Sequence, residues 1–290
     1  MRTPEYPVVD AHCHAWRVWP YRPAVPDPAS RGLVEQLLHE MDRAGVREAA
    51  IVCARIDHNP DNNDYVAECV ARYPDRLHQL ADVDCCWSTE YHAPGAADRL
   101  RRAADRYHLR GFTHYVAEND TGEWYASEAG LAFWETAVRL GLFVSLSIPA
   151  RLQFVVRDVA ARFPSLPILC HHMALPRADE LEPKVRFRDI LASARQPNVY
   201  LKLSGFHYAS PRRWGFPYPD CEWVVRGLYE HFGPRRLCWG SDFPVVRPWM
   251  TYVQALEAVR THCDFITADE LPEILGGNIR RLLGAGRATG

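Results

Sequence analysis

Short continuous apolar runs alternate along this chain with longer stretches whose apolar residues recur every three or four positions. The first run, Val8-Val9-Asp10-Ala11-His12-Cys13-His14, predicts a strand that ends in two histidines. Residues 46–54 contain Ala49-Ala50-Ile51-Val52-Cys53, an unbroken apolar run of the kind a parallel strand shows when both faces are buried. Between them 33–44 carries helical periodicity, with Ser30 expected as its cap and Gly45 as its stop. The pairing then recurs. Strands are expected at 77–83, 110–114, 142–148, 166–172, 198–204 and 236–241. Helices are expected ending near Tyr73, and over 96–107, 128–140, 151–163, 187–195, 220–232 and 252–262. Two short helices, 268–275 and 278–283, close the pattern.

Eight alternating strand–helix units predict an α/β fold with a parallel sheet, best accommodated by one (β/α)8 TIM barrel spanning 1–290 with a short C-terminal helical appendage. An open doubly wound sheet is the alternative. No Gly-x-Gly-x-x-Gly follows the first strand, so dinucleotide binding has no support.

Composition narrows the function classes. A net charge of −2 lacks the basic face that nucleic-acid binding needs. Of 34 basic residues only Lys184 and Lys202 are lysines, so a single arginine in a loop is weak support for a binding role. Nine cysteines without a Cys-x-x-Cys pair suit a reducing compartment. With no apolar signal region and no run of about 18 apolar residues, the expectation is a soluble cytoplasmic protein without a membrane partner. A homo-oligomer remains compatible with all of this.

In a barrel of this kind the working groups sit at the C-terminal ends of the strands and in the loops just after them. His12 and His14 end the first predicted strand, His171 and His172 the sixth, and Ser241-Asp242 the eighth. In an ideal strand Asp10, His12 and His14 share one face, whereas His171 turns away from His172 and packs. Three histidines and a carboxylate, His12, His14, His172 and Asp242, make an N3O set for one divalent metal, with zinc expected and manganese the alternative. The loops on the same rim carry Trp16, Trp19, Tyr21, Tyr208 and Trp214, a wall suited to a ring-bearing small molecule. Arg17, Arg151, Arg212 and Arg213 are candidates to hold a carboxylate on it. His114 and His207 are candidates for substrate contact or proton transfer.

These motifs resemble the amidohydrolase superfamily over nearly the whole chain, and within it the amidohydrolase-2 branch of lactonases and decarboxylases. The residues that carry the likeness are His12-x-His14, His172, Trp239-Gly240-Ser241-Asp242-Phe243-Pro244, Asn198 to Gly205 and Gly277 to Gly284. His-Cys-His-Ala-Trp followed by Trp-Pro-Tyr is most similar to the sugar-lactone and 2-pyrone-4,6-dicarboxylate lactonases. The resemblance implies a barrel with His172 at the end of its fifth strand, where the apolar pattern places it on the sixth. It implies Asp242 as general base, His172 in a catalytic and ligand role, and a ring-containing, anionic substrate. Cys53 and His171 depart from the branch, which often has glutamine and aspartate there. With no lysine near the fourth strand, a carbamate-bridged metal pair is not expected. The implied reaction is hydrolysis of a lactone or related cyclic ester. Non-oxidative decarboxylation of an aromatic or unsaturated acid at the same site is the alternative, and a binding barrel without turnover a third reading. Some lactonases of the branch work without metal.

Overall fold

Eight parallel strands follow one another around the molecule in chain order: β1 (Val8–Cys13), β2 (Val46–Val52), β3 (Leu77–Asp82), β4 (Gly111–Tyr115), β5 (Phe143–Ser147), β6 (Ile168–Cys170), β7 (Val199–Leu203) and β8 (Leu237–Trp239). The computed structural model describes residues 6–22 and 25–284, so the parts of the predicted domain at 1–5, 23–24 and 285–290 lie outside the described residues. The ring closes just past β8, where Cys13 pairs in parallel with Phe243. There the Asp242 N–H donates to the His12 carbonyl (2.7 Å) and the His14 N–H to the Phe243 carbonyl (2.6 Å). An open sheet would leave those groups unpaired, and it is thereby excluded. His172 follows the sixth strand, as the apolar pattern predicts.

The helices form the outer layer, because each buries one apolar stripe against the barrel. In α1 (Val34–Ala44) the buried residues are Val34, Leu37, Leu38, Met41 and Ala44, and Gly45 ends the helix at φ +70°. Ser30 does not cap it: its hydroxyl donates to the Asp27 carbonyl, and Leu33 holds the N-cap position without a side-chain bond. The other major helices are α2 (Asn62–Arg72), α3 (Ala96–Tyr107), α4 (Glu128–Arg139), α5 (Gln153–Arg162) and α6 (Val185–Ala192). After the single turn α7 (Phe206–Ala209) come α8 (Glu222–Phe232), α9 (Tyr252–Arg260) and α10 (Asn278–Gly284).

The C-terminal segment is more than an appendage. Residues Glu273–Gly277 form a π-helical turn, and Ile279, Leu282 and Leu283 of α10 join Val9, Ala11, Leu80 and Leu169 in the core that fills the barrel. This plug closes the N-terminal end, and truncating one such leucine to alanine typically costs about 2–5 kcal/mol. Packing is tight enough that a Cβ on Gly111 would lie 2.5 Å from the Phe143 ring. Only the C-terminal mouth is left for chemistry. No described helix is long and apolar enough to cross a membrane.

Candidate metal centre and substrate pocket

A bulge in β1 sets up the site. Asp10 pairs with Ala49 and Cys13 with Ile51, so β1 spends one more residue than β2 over the same span. The expected common face of Asp10, His12 and His14 is lost for that reason. Asp10 faces the loop after β8, accepting from the Ser241 N–H (2.9 Å) and hydroxyl (2.5 Å), the Tyr252 hydroxyl (3.0 Å) and the His12 N–H (3.0 Å). It thus pins the segment that presents Asp242, itself at φ +60°. Gly240 lets β8 come this close, since a Cβ there would sit 2.6 Å from His12 Cβ.

His12 and His14 point inward with their Nε2 atoms 3.2 Å apart, and those atoms lie 3.4 and 3.5 Å from Asp242 Oδ1. Three donors around a tetrahedral ion with bonds of 2.0–2.1 Å would be separated by about 3.3–3.4 Å. The donor set therefore fits a zinc ion without rearrangement of that triangle. His14 Nδ1 is 2.7 Å from the Val52 carbonyl, an arrangement that puts the proton on Nδ1 and leaves Nε2 free to ligate. Trp16 backs the ring, stacked 4.8 Å away at 11°. Burial, with Lys202 and His172 nearby, holds His12 well below the ordinary imidazole range, and burial holds His172 at about 4. Both are neutral at pH 7, the state in which imidazole binds metal. Burial works against ionisation of Asp242, but His172, His12 and His14 outweigh it and hold the carboxyl well below its usual range.

His172 reaches the cluster through an unusual backbone. His172, Met173, Ala174 and Leu175 all have φ between +47° and +63°, a left-handed turn without a glycine. Each such residue costs roughly 1–2 kcal/mol. Because the turn breaks strand alternation, His171 does not face away as expected. Its ring packs 4.5 Å from that of His12, and the His172 ring 4.6 Å. His171 Nε2 is 2.7 Å from Ser145 Oγ, and His172 Nδ1 is 3.1 Å from Ser204 Oγ. Ligating atoms of His12, His171 and His172 form a second close trio beside that of His12, His14 and Asp242.

Lys202 is the residue that motif reading missed. It lies on β7 inside the barrel, fully buried, with Nζ 2.9 Å from His12 Nδ1 and 2.6 Å from Ser145 Oγ. Burial lowers its pKa to about 7. The signal was present: a lysine amid Val199-Tyr200-Leu201 and Leu203, in a chain that otherwise uses arginine.

Above the cluster, Tyr21, Tyr115 and Tyr208 surround Asp242. Burial and the charge of Asp242 raise all three phenol pKa values, so they remain neutral hydrogen-bond donors. His207 lies on α7, buried, with Nε2 3.8 Å from Asp242 Oδ2. Among the described residues neither of its ring nitrogens has a hydrogen-bond partner, and nor does Asp242 Oδ2, while the Tyr208 hydroxyl approaches the same carboxylate. Arg213 stands over the Trp249 ring (5.3 Å), and burial lowers the His207 pKa against the pull of Asp242, with the Arg213 charge adding to it.

Several expected substrate contacts are placed elsewhere. Arg17 is paired outward with Asp61 (3.2 Å) and Glu68 (2.7 Å). Arg151 donates to the Glu118 carbonyl, and Arg212 is exposed with no side-chain partner found among the described residues. His114 alternates to the outside of β4, between Phe133 and Trp134, with Nε2 3.1 Å from the Tyr125 hydroxyl. Tyr115, its neighbour, takes the interior position. Trp16 and Trp19 buttress His14 and Tyr21 from behind. Trp214 is 74% exposed and packs on Trp249 at the outer rim.

Comparison with known proteins adds to this geometry. Residues 9–285 match the sequence profile of the Amidohydro_2 family, described as amidohydrolase. A curated L-fucono-1,5-lactonase of Burkholderia ambifaria is 31% identical over 144 residues, 45% of this chain and 44% of that protein. The chain thus spans less than half the length of the curated relative it matches. Among solved structures, a zinc-bound amidohydrolase from Burkholderia multivorans is similar over 96% of this chain and 99% of its own, with a TM-score of 0.77 and 21% identity. The 5-carboxyvanillate decarboxylase of Sphingomonas paucimobilis is similar over 97% of this chain and 100% of its own, with a TM-score of 0.65 and 18% identity. At those identities the likeness is one of fold.

Proposed function

Because the chain belongs to the amidohydrolase family, we propose that it is a hydrolase that opens a lactone or related cyclic ester at the mouth of the barrel. The observation that carries this reading is the unpartnered, ionised Asp242 Oδ2, buried beside His207 and the His12–His14 pair. A buried carboxylate with a free oxygen is placed to take a proton from water. In this reading Asp242 is the general base and then returns the proton to the leaving alkoxide. His12, His14 and Asp242 would hold one divalent ion, zinc by the fit of their spacing, with His172 completing the set. Such an ion supplies Lewis-acid polarisation of the carbonyl and a water of lowered pKa. His172 would stand beside those residues as a further ligand, in the neutral state that its burial enforces.

The pocket wall supports one substrate class over another. Tyr21, Tyr115, Tyr208 and His207 offer neutral hydrogen-bonding groups, which suit ring oxygens and hydroxyls. Arg17 and Arg151 are engaged elsewhere, and Arg99 is spent on Asp84 (2.5 Å). Arg213, over Trp249 and with its charge acting on His207 and Tyr208, is the group offered for one negative charge. A hydroxylated sugar-acid lactone carrying at most one carboxylate fits this wall better than a dicarboxylate, and the L-fucono-1,5-lactonase relative supports that choice.

The test is a pH-stat assay over aldonolactones, uronolactones and a pyrone dicarboxylate, with zinc added and with chelator. Saturable hydrolysis of a sugar lactone that Asp242→Asn abolishes is expected. Release of carbon dioxide from an aromatic acid, with solvent deuterium entering the ring and no lactone opened, would select the decarboxylase reading instead.

A further inference from the structure

We propose that Lys202 is a positioning residue: from beneath the cluster it locks the His12 ring, committing Nε2 to the mouth of the barrel and withholding Nδ1. The inference rests on His12 being part of the working site, but it concerns the orientation of the ring.

Three observations carry it. The first is reach. The Lys202 side chain leaves β7 and crosses the interior to His12 Nδ1 on β1 (2.9 Å) and Ser145 Oγ on β5 (2.6 Å). Ser145 in turn holds His171 Nε2 just after β6 (2.7 Å). One amine thus ties four neighbouring parts of the barrel together directly below the ligand triangle.

The second is the lack of any substitute. His14 has the Val52 carbonyl and His172 the Ser204 hydroxyl to fix their Nδ1 atoms. Asp10, the nearest carboxylate in sequence, meets His12 only at its backbone N–H and not at the ring. Among the described residues the ring Nδ1 meets Lys202 alone. An imidazole can turn over about its broad terminal torsion, and only a partner on one nitrogen selects which nitrogen faces the site.

The third is residue choice. In a chain with two lysines, Lys184 lies at the surface over Trp223 (4.1 Å) and Lys202 is wholly buried. The guanidinium of arginine has no lone pair to accept from the Nδ1–H that leaves Nε2 free to ligate, whereas an amine can accept from His12 and still donate to Ser145.

The test uses Lys202→Met, which keeps the unbranched stem and removes the nitrogen, and Ser145→Ala, which leaves the amine but removes its second anchor. Crystal structures, zinc affinity by competition titration and melting temperature are compared with the parent protein. In Lys202→Met the His12 ring is expected to turn or shift beyond the roughly 20° and 0.5 Å that a working site tolerates. Zinc affinity should fall about 10–100-fold, the range seen when a ligand's supporting partner is lost. Ser145→Ala should show a smaller loss of affinity at unchanged melting temperature. If Lys202→Met does not fold, Ser145→Ala decides: unaltered affinity overturns the proposal. A folded Lys202→Met whose His12 ring stays in place and whose zinc affinity is within about twofold of the parent also overturns it. Should the parent retain no zinc, the metal reading fails, and the ring orientation alone then decides the role of Lys202.

Discussion

Two regions of the rim carry histidines among aromatic rings, and they differ in what they leave undone. Near β3 and β4, His92 is sandwiched between Tyr91 (3.7 Å) and Trp124 (3.9 Å), and His114 uses both nitrogens on Val83 and Tyr125. Around β1 and the β8 loop, His207 and Asp242 Oδ2 are buried and unpartnered, and two trios of ligating atoms converge on His12. His92 also leaves Nε2 unpaired, but no such trio forms around it among the described residues. Histidine and tryptophan in one loop therefore say little. Convergence of unmet polar groups separates a working site from a packed one, because buried groups without partners cost free energy that a ligand or water held among them restores.

The sharpest way to break the comparison is Asp242→Asn. Loss of a general base typically costs about 10²–10⁴ in rate, so kcat/KM should fall by that order while the melting temperature holds or rises. Retained turnover would remove Asp242 from the chemistry. Next in size, His12→Ala or His14→Ala should each strip most of the zinc from dialysed protein, measured by elemental analysis. Full occupancy in either would reject that ligand.

A paired experiment tests the contrast itself. His207→Ala should lower kcat/KM about 10- to 150-fold with little change in melting temperature, as expected for a lost charge-assisted contact of about 1.5–3 kcal/mol. His114→Ala should do the reverse, losing about 1–3 kcal/mol of stability by stranding the Tyr125 hydroxyl while kcat/KM stays near the parent value. If the two behave alike, the proposed division of the rim is wrong.

The smallest effect is in acid. Burial, aided by His114, pushes His92 down to about 3. The folded protein then keeps His92 neutral while the unfolded chain protonates it below about 6.5. Its contribution is complete above pH 6.5 and is lost as pH falls towards 3. Between pH 7.5 and 4.5 the parent should lose on the order of 1–3 kcal/mol more stability than His92→Gln, read from denaturant midpoints. Equal losses would assign the acid sensitivity elsewhere.

The barrel was legible because eight apolar runs and eight helical stripes report burial directly, and each strand falls within a residue or two of its expected range. His12, His14, His172 and Asp242 were legible because strand ends at one rim bring distant residues together. What escaped depends on backbone detail that periodicity averages away. The bulge in β1 turned Asp10 from the histidines, and the left-handed turn at His172 brought His171 inward. Alternation along β4 gave the interior to Tyr115 rather than His114. Arg17 looked available only because Asp61 and Glu68, far along the chain, could not be seen beside it.

The seam between β1 and the β8 loop also dictates when the site can exist. Asp10 and Ser241, which clasp it, are 231 positions apart, so at ribosomal speeds of about 5–20 residues per second the first histidines wait on the order of ten to fifty seconds for their carboxylate. Throughout that interval β1 has a bare hydrogen-bonding edge on one side, a hazard for a nascent chain and a slow, non-local contact to make at the end. Holding an ion by histidines and carboxylate together must follow closure of the ring, which makes it one of the last events of the fold rather than one of the first.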